Sequence, residues 1–197
     1  MDLSLDTSTK DISITIGNGR FFKTYISKGI KKNLELIKIF KKMLKENNIN
    51  LKDIKNFYFT IGPGSFTGIR FGISFLLGLT EGRGVNYYPI STLEALALSR
   101  EGISTPFLTQ NLKYFYAGIY NVKNSIKTIL KPKIFTMEEL KEIKKGTFLT
   151  LKEFSLSFED LVKIENPISE IIFEKRKILK KKNFPIKPLY IKNPYEI

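Results

Sequence analysis

The chain has 197 residues, of which 42% are hydrophobic and 26% charged, values that suit one large domain or two small lobes with a buried core. It contains no Cys and no His, which excludes disulfides, cysteine zinc sites, a Ser-His-Asp triad and an HExxH metallopeptidase. Lys and Arg outnumber Asp and Glu by 33 to 19, so the formal net charge is +14.

The first half of the chain alternates strand and helix patterns. Apolar runs predict strands at 3–5, 21–26, 57–61 and 85–90, and alternation of Ile12, Ile14 and Ile16 with polar residues predicts a half-buried strand. A helix ending near Asn47 is predicted by an apolar stripe opposite many lysines. The residues of that stripe are Ile30, Leu34, Ile37, Phe40, Met43 and Leu44. Ser91 followed by Glu94 predicts a capping box that opens a further helix.

Beyond residue 104 the pattern changes to a smaller mixed unit. Strands are predicted at 105–110, 114–121 and 148–151, and Thr136 with Glu139 forms a capping box for a short helix. Asn166 and Pro167 predict the start of a helix that runs to about Lys182. The element order predicts an α/β architecture with lobes at 1–104 and 105–197.

The most informative segment is GPGSFTGIR at 62–70. Its glycines permit backbone conformations that a Cβ would forbid. The segment leads into a helix that ends at about Thr80, and the N-terminus of that helix presents free N–H groups to which a phosphate can bind. Close packing of the backbone is the alternative explanation, because the spacing matches neither a Walker A loop nor a dinucleotide fingerprint. The candidate phosphate- or nucleotide-binding residues are Asp6, Gly62, Gly64, Ser65, Thr67 and Gly68.

The helix that follows this loop is apolar on nearly all sides. We expect the stripe of Gly64, Gly68 and Gly72 to pack inward, because small residues allow close approach of the backbone. The opposite side then faces either a second subunit or a neighbouring part of the chain. The predicted partner interface consists of Arg70, Ile73, Ser74 and Leu77.

The positive charge is concentrated at 23–55, with ten Lys against three acidic residues, and at 171–197, with eight basic residues against two acidic ones. Such regions suit contact with nucleic acid, and the candidate cations are Lys180, Lys181 and Lys182. A composition rich in Lys, Ile and Asn also arises in AT-rich genomes, so both explanations stay open. The N-terminus lacks the features of a signal peptide, and the longest apolar stretch is too short to span a bilayer, so we expect a cytoplasmic protein.

Three segments resemble the TsaB (YeaZ) family in order and position: LDTST at 5–9, GPGSFTGIRFGIS at 62–74 and STLEALA at 91–97. The resemblance covers residues 1–100 well and the second half weakly, chiefly at 188–192. It implies the two-lobed ASKHA (actin/Hsp70/sugar-kinase-like) fold, with mixed sheets flanked by helices and a reduced second lobe. It also implies a non-catalytic subunit that pairs with catalytic TsaD, joined by the ATPase TsaE, to form threonylcarbamoyladenosine at position 37 of tRNA.

The resemblance further implies no catalytic residue or metal site in this chain, and a homodimer when the partner is absent. No cofactor is expected to be tightly bound to this chain. The candidate ligand is ATP or ADP, bound at the interface of the complex. Two family segments are altered, since His-Ser-Glu is replaced by SKG at 27–29 and the D-A-R…E-V-Y segment keeps only Tyr116. The resemblance therefore does not determine which ligand or partner contacts the second lobe makes.

Asp6 has two interpretations. In a nucleotide-using ASKHA member it would face a metal or phosphate, whereas locally it can close an Asx turn on Ser8 or Thr9. The first interpretation belongs to an alternative function, an ASKHA phosphotransferase or nucleotide-binding protein acting on a small metabolite. A glycoprotease-type peptidase is disfavoured because no activated nucleophile or zinc site can be built without His and Cys.

Overall fold

The computed structural model describes residues 1–19, 21–28, 32–109, 111, 113–143, 145–155, 159–183 and 185–191. Within them, the first of two five-stranded sheets has the order β3-β2-β1-β4-β5. Its strands are β1 Asp2–Asp6, β2 Ile12–Asn18, β3 Phe21–Ser27, β4 Asn56–Thr60 and β5 Asn86–Ile90. The helices of this half are α1 Lys32–Glu46, α2 Phe66–Thr80 and α3 Thr92–Ala97.

The second sheet has the order β10-β9-β6-β7-β8. Its strands are β6 Gly102–Thr109, β7 Phe115–Val122, β8 Ile126–Phe135, β9 Thr147–Leu151 and β10 Leu161–Ile164, and the helices are α4 Met137–Glu142 and α5 Ile168–Lys175. The predicted strands at 105–110 and 114–121 correspond to β6 and β7, which pair antiparallel, and both predicted capping boxes are confirmed. Strands β8 and β10 were not predicted, and the predicted boundary at residue 104 falls within β6.

Helices α3 and α5 connect the two lobes. α3 packs on β6 and β7 of the second sheet, while α5 packs on β1 and β2 of the first, and the two helices contact each other. The core of the first lobe lies under α1 and α2 on the other face of the first sheet, where Leu36, Met43 and Leu76 are fully buried. No helix in the described ranges is long and apolar enough to cross a membrane.

The prediction of a half-buried β2 is wrong, because helix α5 covers its polar face. Ser13 and Thr15 are 4% and 0% exposed. The Thr15 hydroxyl lies 2.9 Å from that of Ser169 on α5, and Ser4 of β1 donates to the Ser169 carbonyl at 2.6 Å. A strand whose polar residues all find partners can be buried on both faces.

The predicted core stripe of α1 is also partly wrong. Leu34 and Ile37 are 57% and 38% exposed, and the buried stripe is instead formed by Leu36, Ile39, Phe40 and Met43. The helix carries more apolar residues than one stripe holds, and the sequence does not show which of them meet the sheet. Ile30, the first residue of the predicted stripe, lies outside the described residues.

The last helix is shorter than predicted. α5 ends at Lys175 and continues as a single 3-10 turn, Arg176–Ile178, after which the chain extends along β5. The buried Arg176 fixes this end, since its Nε donates to Asp2 at 2.6 Å and its other nitrogens donate to the carbonyls of Phe173 and Gly19. Pro167 occupies the N-cap position and not the first helical position.

Candidate functional site

The turn after β1 is organised around Asp6. Its carboxylate accepts hydrogen bonds from the Ser8 backbone N–H at 2.9 Å and from the hydroxyls of Ser8, Thr9 and Thr60 at 2.6, 2.6 and 2.7 Å. The side chain is fully buried. These contacts favour the Asx-turn interpretation. Three of these hydrogen bonds are accepted by Oδ1 and one by Oδ2, and binding of a metal or phosphate at Asp6 stays a prediction.

The glycine stripe packs inward against this turn, as predicted. A Cβ at Gly68 would collide with the Thr7 carbonyl oxygen, and one at Gly72 would collide with the Thr7 side chain. Gly64, at φ +146°, lies so close to the Ser8 carbonyl that a Cβ would overlap it. The Ser65 N–H donates to the same carbonyl at 2.7 Å. Close backbone packing therefore accounts for the glycines.

The N-terminus of α2 opens onto a cleft of about 650 Å³ between the lobes. Ser65 caps the helix by accepting from the Gly68 N–H at 3.3 Å, and both Gly64 and Ser65 line the cleft. The other candidate phosphate-binding residues do not: Gly62 is buried beneath the Leu189 carbonyl, Gly68 is buried, and Thr67 is exposed on α2. Phosphate binding at Gly64 and Ser65 stays a prediction.

The far wall of the cleft is largely apolar and comes from the second lobe. It includes Leu108, Phe115, Tyr116 and Phe154. Of the altered family segments, Gln110 and Gly29 lie outside the described residues, whereas Tyr116 lines the cleft. Among the residues that the structure describes, no three Asp or Glu side chains come together as metal ligands would.

The predicted interface residues of α2 are divided between the core and the surface. Arg70 and Ser74 are exposed and Leu77 is half-buried. Ile73 is only 6% exposed and belongs to the core of the first lobe, so its prediction as a partner contact is wrong. Ile73 lies one turn from Ile69 and Leu76, which both face the core, and it therefore shares their side of the helix.

Helix α1 lies beside α2 and also exposes apolar side chains. Phe40 packs edge to face on Phe75 of α2 at 5.2 Å between ring centroids, and the exposed Ile37 precedes Phe40 by one turn. On α2 itself, Gly78 is exposed and a Cβ there would meet no atom within 4 Å. We call this face the α1–α2 surface. Its residues are Leu34, Ile37, Phe71, Ser74, Leu77 and Gly78. Sequence analysis missed Leu34 and Ile37 because it assigned them to the core.

Arg70 is held by the C-terminal segment. Its Nε donates to the Tyr190 hydroxyl at 2.6 Å, and its guanidinium carbon lies 3.9 Å from the centroid of the Phe66 ring. The Leu189 N–H donates to the Ile61 carbonyl at 2.7 Å, so the segment also contacts the end of β4. Lys192, at the end of the weakly matching 188–192 segment, lies outside the described residues.

The candidate cations lie near the C-terminal end of α2. Lys180, Lys181 and Lys182 are exposed, and the last two line an open groove with Leu77 and Gly78. Lys182 also forms an antiparallel bridge to Tyr87 of β5. The three lysines are therefore available to solvent beside the α1–α2 surface.

Electrostatic contacts also tie α1 to β3. Glu46 near the end of α1 accepts from the Tyr25 hydroxyl at 2.9 Å and lies 3.4 Å from Lys23 Nζ. The hydrogen bond from Tyr25 and the neighbouring lysines lower the pKa of Glu46. In the second lobe, burial raises the pKa of Tyr120, so this phenol stays protonated.

A family model described as TsaD, tRNA N6-adenosine threonylcarbamoyltransferase, matches residues 31–110. Curated relatives include proteins named tRNA threonylcarbamoyladenosine biosynthesis protein TsaB. That of Buchnera aphidicola is 33% identical over 97 residues, covering 48% of this chain and 46% of the relative, and that of Haemophilus influenzae is 33% identical, with 41% of the relative covered. The TsaB of Bacillus subtilis is 25% identical over 130 residues, covering 63% of this chain and 56% of the relative. The chain thus spans about half the length of the curated relatives it matches.

Two solved structures share the fold over nearly the whole chain. A protein from Pseudomonas aeruginosa described as similar to peptidase YEAZ superposes with a TM-score of 0.78 at 16% identity, over 97% of this chain and 99% of that one. YeaZ from the same organism gives a TM-score of 0.74 at 17% identity, over 89% and 90%. The predicted two-lobed α/β fold is confirmed, and the resemblance carried by the three sequence segments is confirmed as a similarity of about half of the chain to proteins named TsaB.

Proposed function

We propose that this chain is a non-catalytic subunit that pairs with a TsaD-like catalytic subunit for N6-threonylcarbamoylation of adenosine 37 in tRNA. The single observation that carries the proposal is the exposed α1–α2 surface. The names of the curated TsaB relatives support the pathway. In this proposal a TsaE-like ATPase joins the complex in the cytoplasm, and tRNA contacts it through Lys180, Lys181 and Lys182.

The composition of the α1–α2 surface suits a helical partner. Ser74 and the exposed Gly78 allow a partner helix to approach the backbone of α2 closely, and the flanking Phe71 and Leu77 retain apolar area for burial. The family model that is described as TsaD covers both α1 and α2. A partner with the same two helices could therefore pack through equivalent faces, as in symmetric dimers. Without that partner, the same surface would serve two copies of this chain.

A non-catalytic role is supported by the chemistry of the interlobe cleft. Asp6 is the carboxylate that the sequence analysis named as a candidate for metal or phosphate binding. It already accepts hydrogen bonds from the chain's own hydroxyl groups. The chain has no His or Cys with which to activate a nucleophile. In this proposal no cofactor is tightly bound, and ATP or ADP binds only at the interface with the partner.

The 650 Å³ cleft is the observation that favours the alternative, a protein that binds a nucleotide or small metabolite on its own. Gly64 and Ser65 would supply the contacts to a phosphate there. The non-catalytic subunit requires the α1–α2 surface for its partner, whereas a protein that binds a nucleotide or small metabolite on its own does not. A peptidase activity has no support in the residues that line the cleft.

Co-elution with a TsaD-like subunit tests the proposal at Gly78. Gly78→Glu places a charged side chain on the α1–α2 surface, where burial without a partner is costly. Gly78→Ala is the matched control, since both replacements fit the open space around Gly78 and favour the helix. We expect the Glu variant to lose co-elution and reconstituted tRNA modification and the Ala variant to retain both. Full co-elution of a folded Glu variant would refute the proposal.

A further inference from the structure

Among the residues that the structure describes, no strand pairs with the outer edge of β3 in the first sheet. β3 ends the strand order, and its seven residues pair with β2 in a continuous register from Phe21 to Ser27. Phe21, Phe22 and Ile26 are 88%, 39% and 48% exposed, and Tyr25 is the one buried residue of this strand. A regular edge with exposed apolar side chains is a template for a further strand.

The three other sheet edges within the described ranges are protected. Lys182 bridges β5, with its N–H donating to the Tyr87 carbonyl at 2.9 Å. β8 carries Pro132, exposed lysines and two register shifts, and β10 has only four residues. Charged side chains, proline, irregular pairing and short length prevent edge-to-edge association. β3 carries a single lysine and none of the other features, so its open edge is specific to this strand.

We propose that β3 pairs with β3 of a second copy of this chain, antiparallel about a two-fold axis at Thr24. The two first sheets then form one continuous sheet of ten strands. A two-fold interface uses the same patch on both copies. Because side chains alternate between the faces of a strand, an axis perpendicular to the sheet places residues of equal parity opposite one another.

Charge and apolar contact select Thr24 among the symmetric registers. An axis at Lys23 would set the two Lys23 side chains opposite each other, which is destabilising. An axis at Tyr25 would leave Phe22 with no strand residue opposite. The axis at Thr24 pairs all seven residues and places Phe22 opposite Ile26 twice, once for each copy.

On the face of the sheet that carries Lys23 and Tyr25, the same register brings groups of opposite charge together. It places Lys23 of each copy opposite Tyr25 of the other, and the Tyr25 hydroxyl donates to the Glu46 carboxylate at 2.9 Å. Glu46 already lies 3.4 Å from Lys23 within one copy, with both side chains partly exposed. In the pair, two lysines and two Glu46 carboxylates thus lie on this face of the joint sheet, and on the other face each Thr24 donates to the Glu170 carboxylate of its own copy at 2.8 Å.

This edge is separate from the α1–α2 surface, so the inference does not rest on the proposed function. β3 is bonded to β2 along the plane of the sheet, whereas α1 and α2 lie on one face of it. Association through β3 can therefore be measured in the Gly78→Glu background, in which pairing through the α1–α2 surface is blocked.

Sedimentation equilibrium over a range of concentrations tests the pairing. In the Gly78→Glu background we expect a monomer–dimer equilibrium whose dissociation constant rises at least tenfold with Ile26→Lys. Ile129→Lys is the matched control, because Ile129 is a 42% exposed isoleucine on the protected edge strand β8. A background chain that stays monomeric at all concentrations, or a dimer that Ile26→Lys leaves unchanged, overturns the proposal.

Disulfide cross-linking tests the register independently, since the chain has no cysteine of its own. Directly opposite Cα atoms in antiparallel strands lie about 4.5 to 5.5 Å apart, within reach of a disulfide. Thr24→Cys should therefore cross-link to its copy on oxidation, and Lys23→Cys, which is offset from its copy along the strand, should not. Preferential cross-linking of Lys23→Cys overturns the register. Thr24→Cys also removes the Thr24 hydrogen bond to Glu170. If that loss prevents folding, the sedimentation comparison of Ile26→Lys with Ile129→Lys is the test of the pairing.

Discussion

Two glycines of one helix should respond in opposite directions to the same replacement. Gly78→Ala and Gly68→Ala each add one methyl group to α2, and in a helix interior Ala is favoured over Gly by about 1 kcal/mol. At Gly78 the methyl meets no atom within 4 Å, so this gain is retained. At Gly68 the methyl collides with the Thr7 carbonyl oxygen and lies about 3.0 Å from the Ser65 hydroxyl.

The collision at Gly68 cannot be relieved by rotating a side chain. Thr7 is 2% exposed and its turn is held by the hydrogen bonds to Asp6. Overpacking of a rigid site costs up to about 3 kcal/mol, so after the gain from helix propensity we expect a net loss of up to about 2 kcal/mol at Gly68 against a gain of about 1 kcal/mol at Gly78. With a urea m-value of about 2 kcal/mol/M, the midpoints should separate by roughly 1 M.

Urea unfolding followed by circular dichroism measures both changes under one set of conditions. The same α2 context for both variants removes helix propensity from the comparison, so that the difference reports the contact with the turn after β1. A Gly68→Ala protein that is as stable as the Gly78→Ala protein would refute inward packing of the glycine stripe. A destabilised Gly78→Ala protein would refute the open environment assigned to that position.

Two further predictions concern pH and salt. Because the pKa of Glu46 is lowered in the folded state, its stabilising contribution is present above the unfolded pKa near 4.5 and is lost as the pH falls below it. Glu46→Gln should therefore reduce the fall in melting temperature between pH 5.5 and 3.5, and an unchanged fall in Glu46→Gln would contradict the assignment. Replacing Lys180–Lys182 by Gln should lower the slope of log affinity for tRNA against log salt in the assembled complex by about 0.7–0.9 per lost phosphate contact. An equal effect of Gln at the β8 lysines, which are Lys127, Lys131 and Lys133, would favour the genomic explanation of the lysine content.

The features that the sequence determined on its own are those whose partners lie within one helical turn. Ser91 and Thr136 each cap a helix by accepting a hydrogen bond from the third residue after them. Such caps depend on three or four neighbouring residues and little else, so their position can be read from the chain. The four-residue spacing of the glycines likewise predicted that their stripe packs inward.

The direction that each apolar face takes was decided only by tertiary structure. α1 buries Leu36 and Ile39 and exposes Leu34 and Ile37, because the helix carries apolar residues around more of its circumference than the sheet can cover. The α1–α2 surface follows from that choice. β2 was misjudged for a related reason, since the helix that covers its polar face comes from a segment more than 150 residues later.

Long-range polar contacts decided the remaining points. Asp6 accepts a hydrogen bond from Thr60, which is 54 residues away, and α5 ends where Arg176 meets Asp2 at the opposite end of the chain. No local pattern encodes either contact, because a carboxylate at a turn and an arginine near a helix end suit many environments equally. Their roles became definite only when folding brought one donor and one acceptor together away from water, where a buried polar group requires a partner.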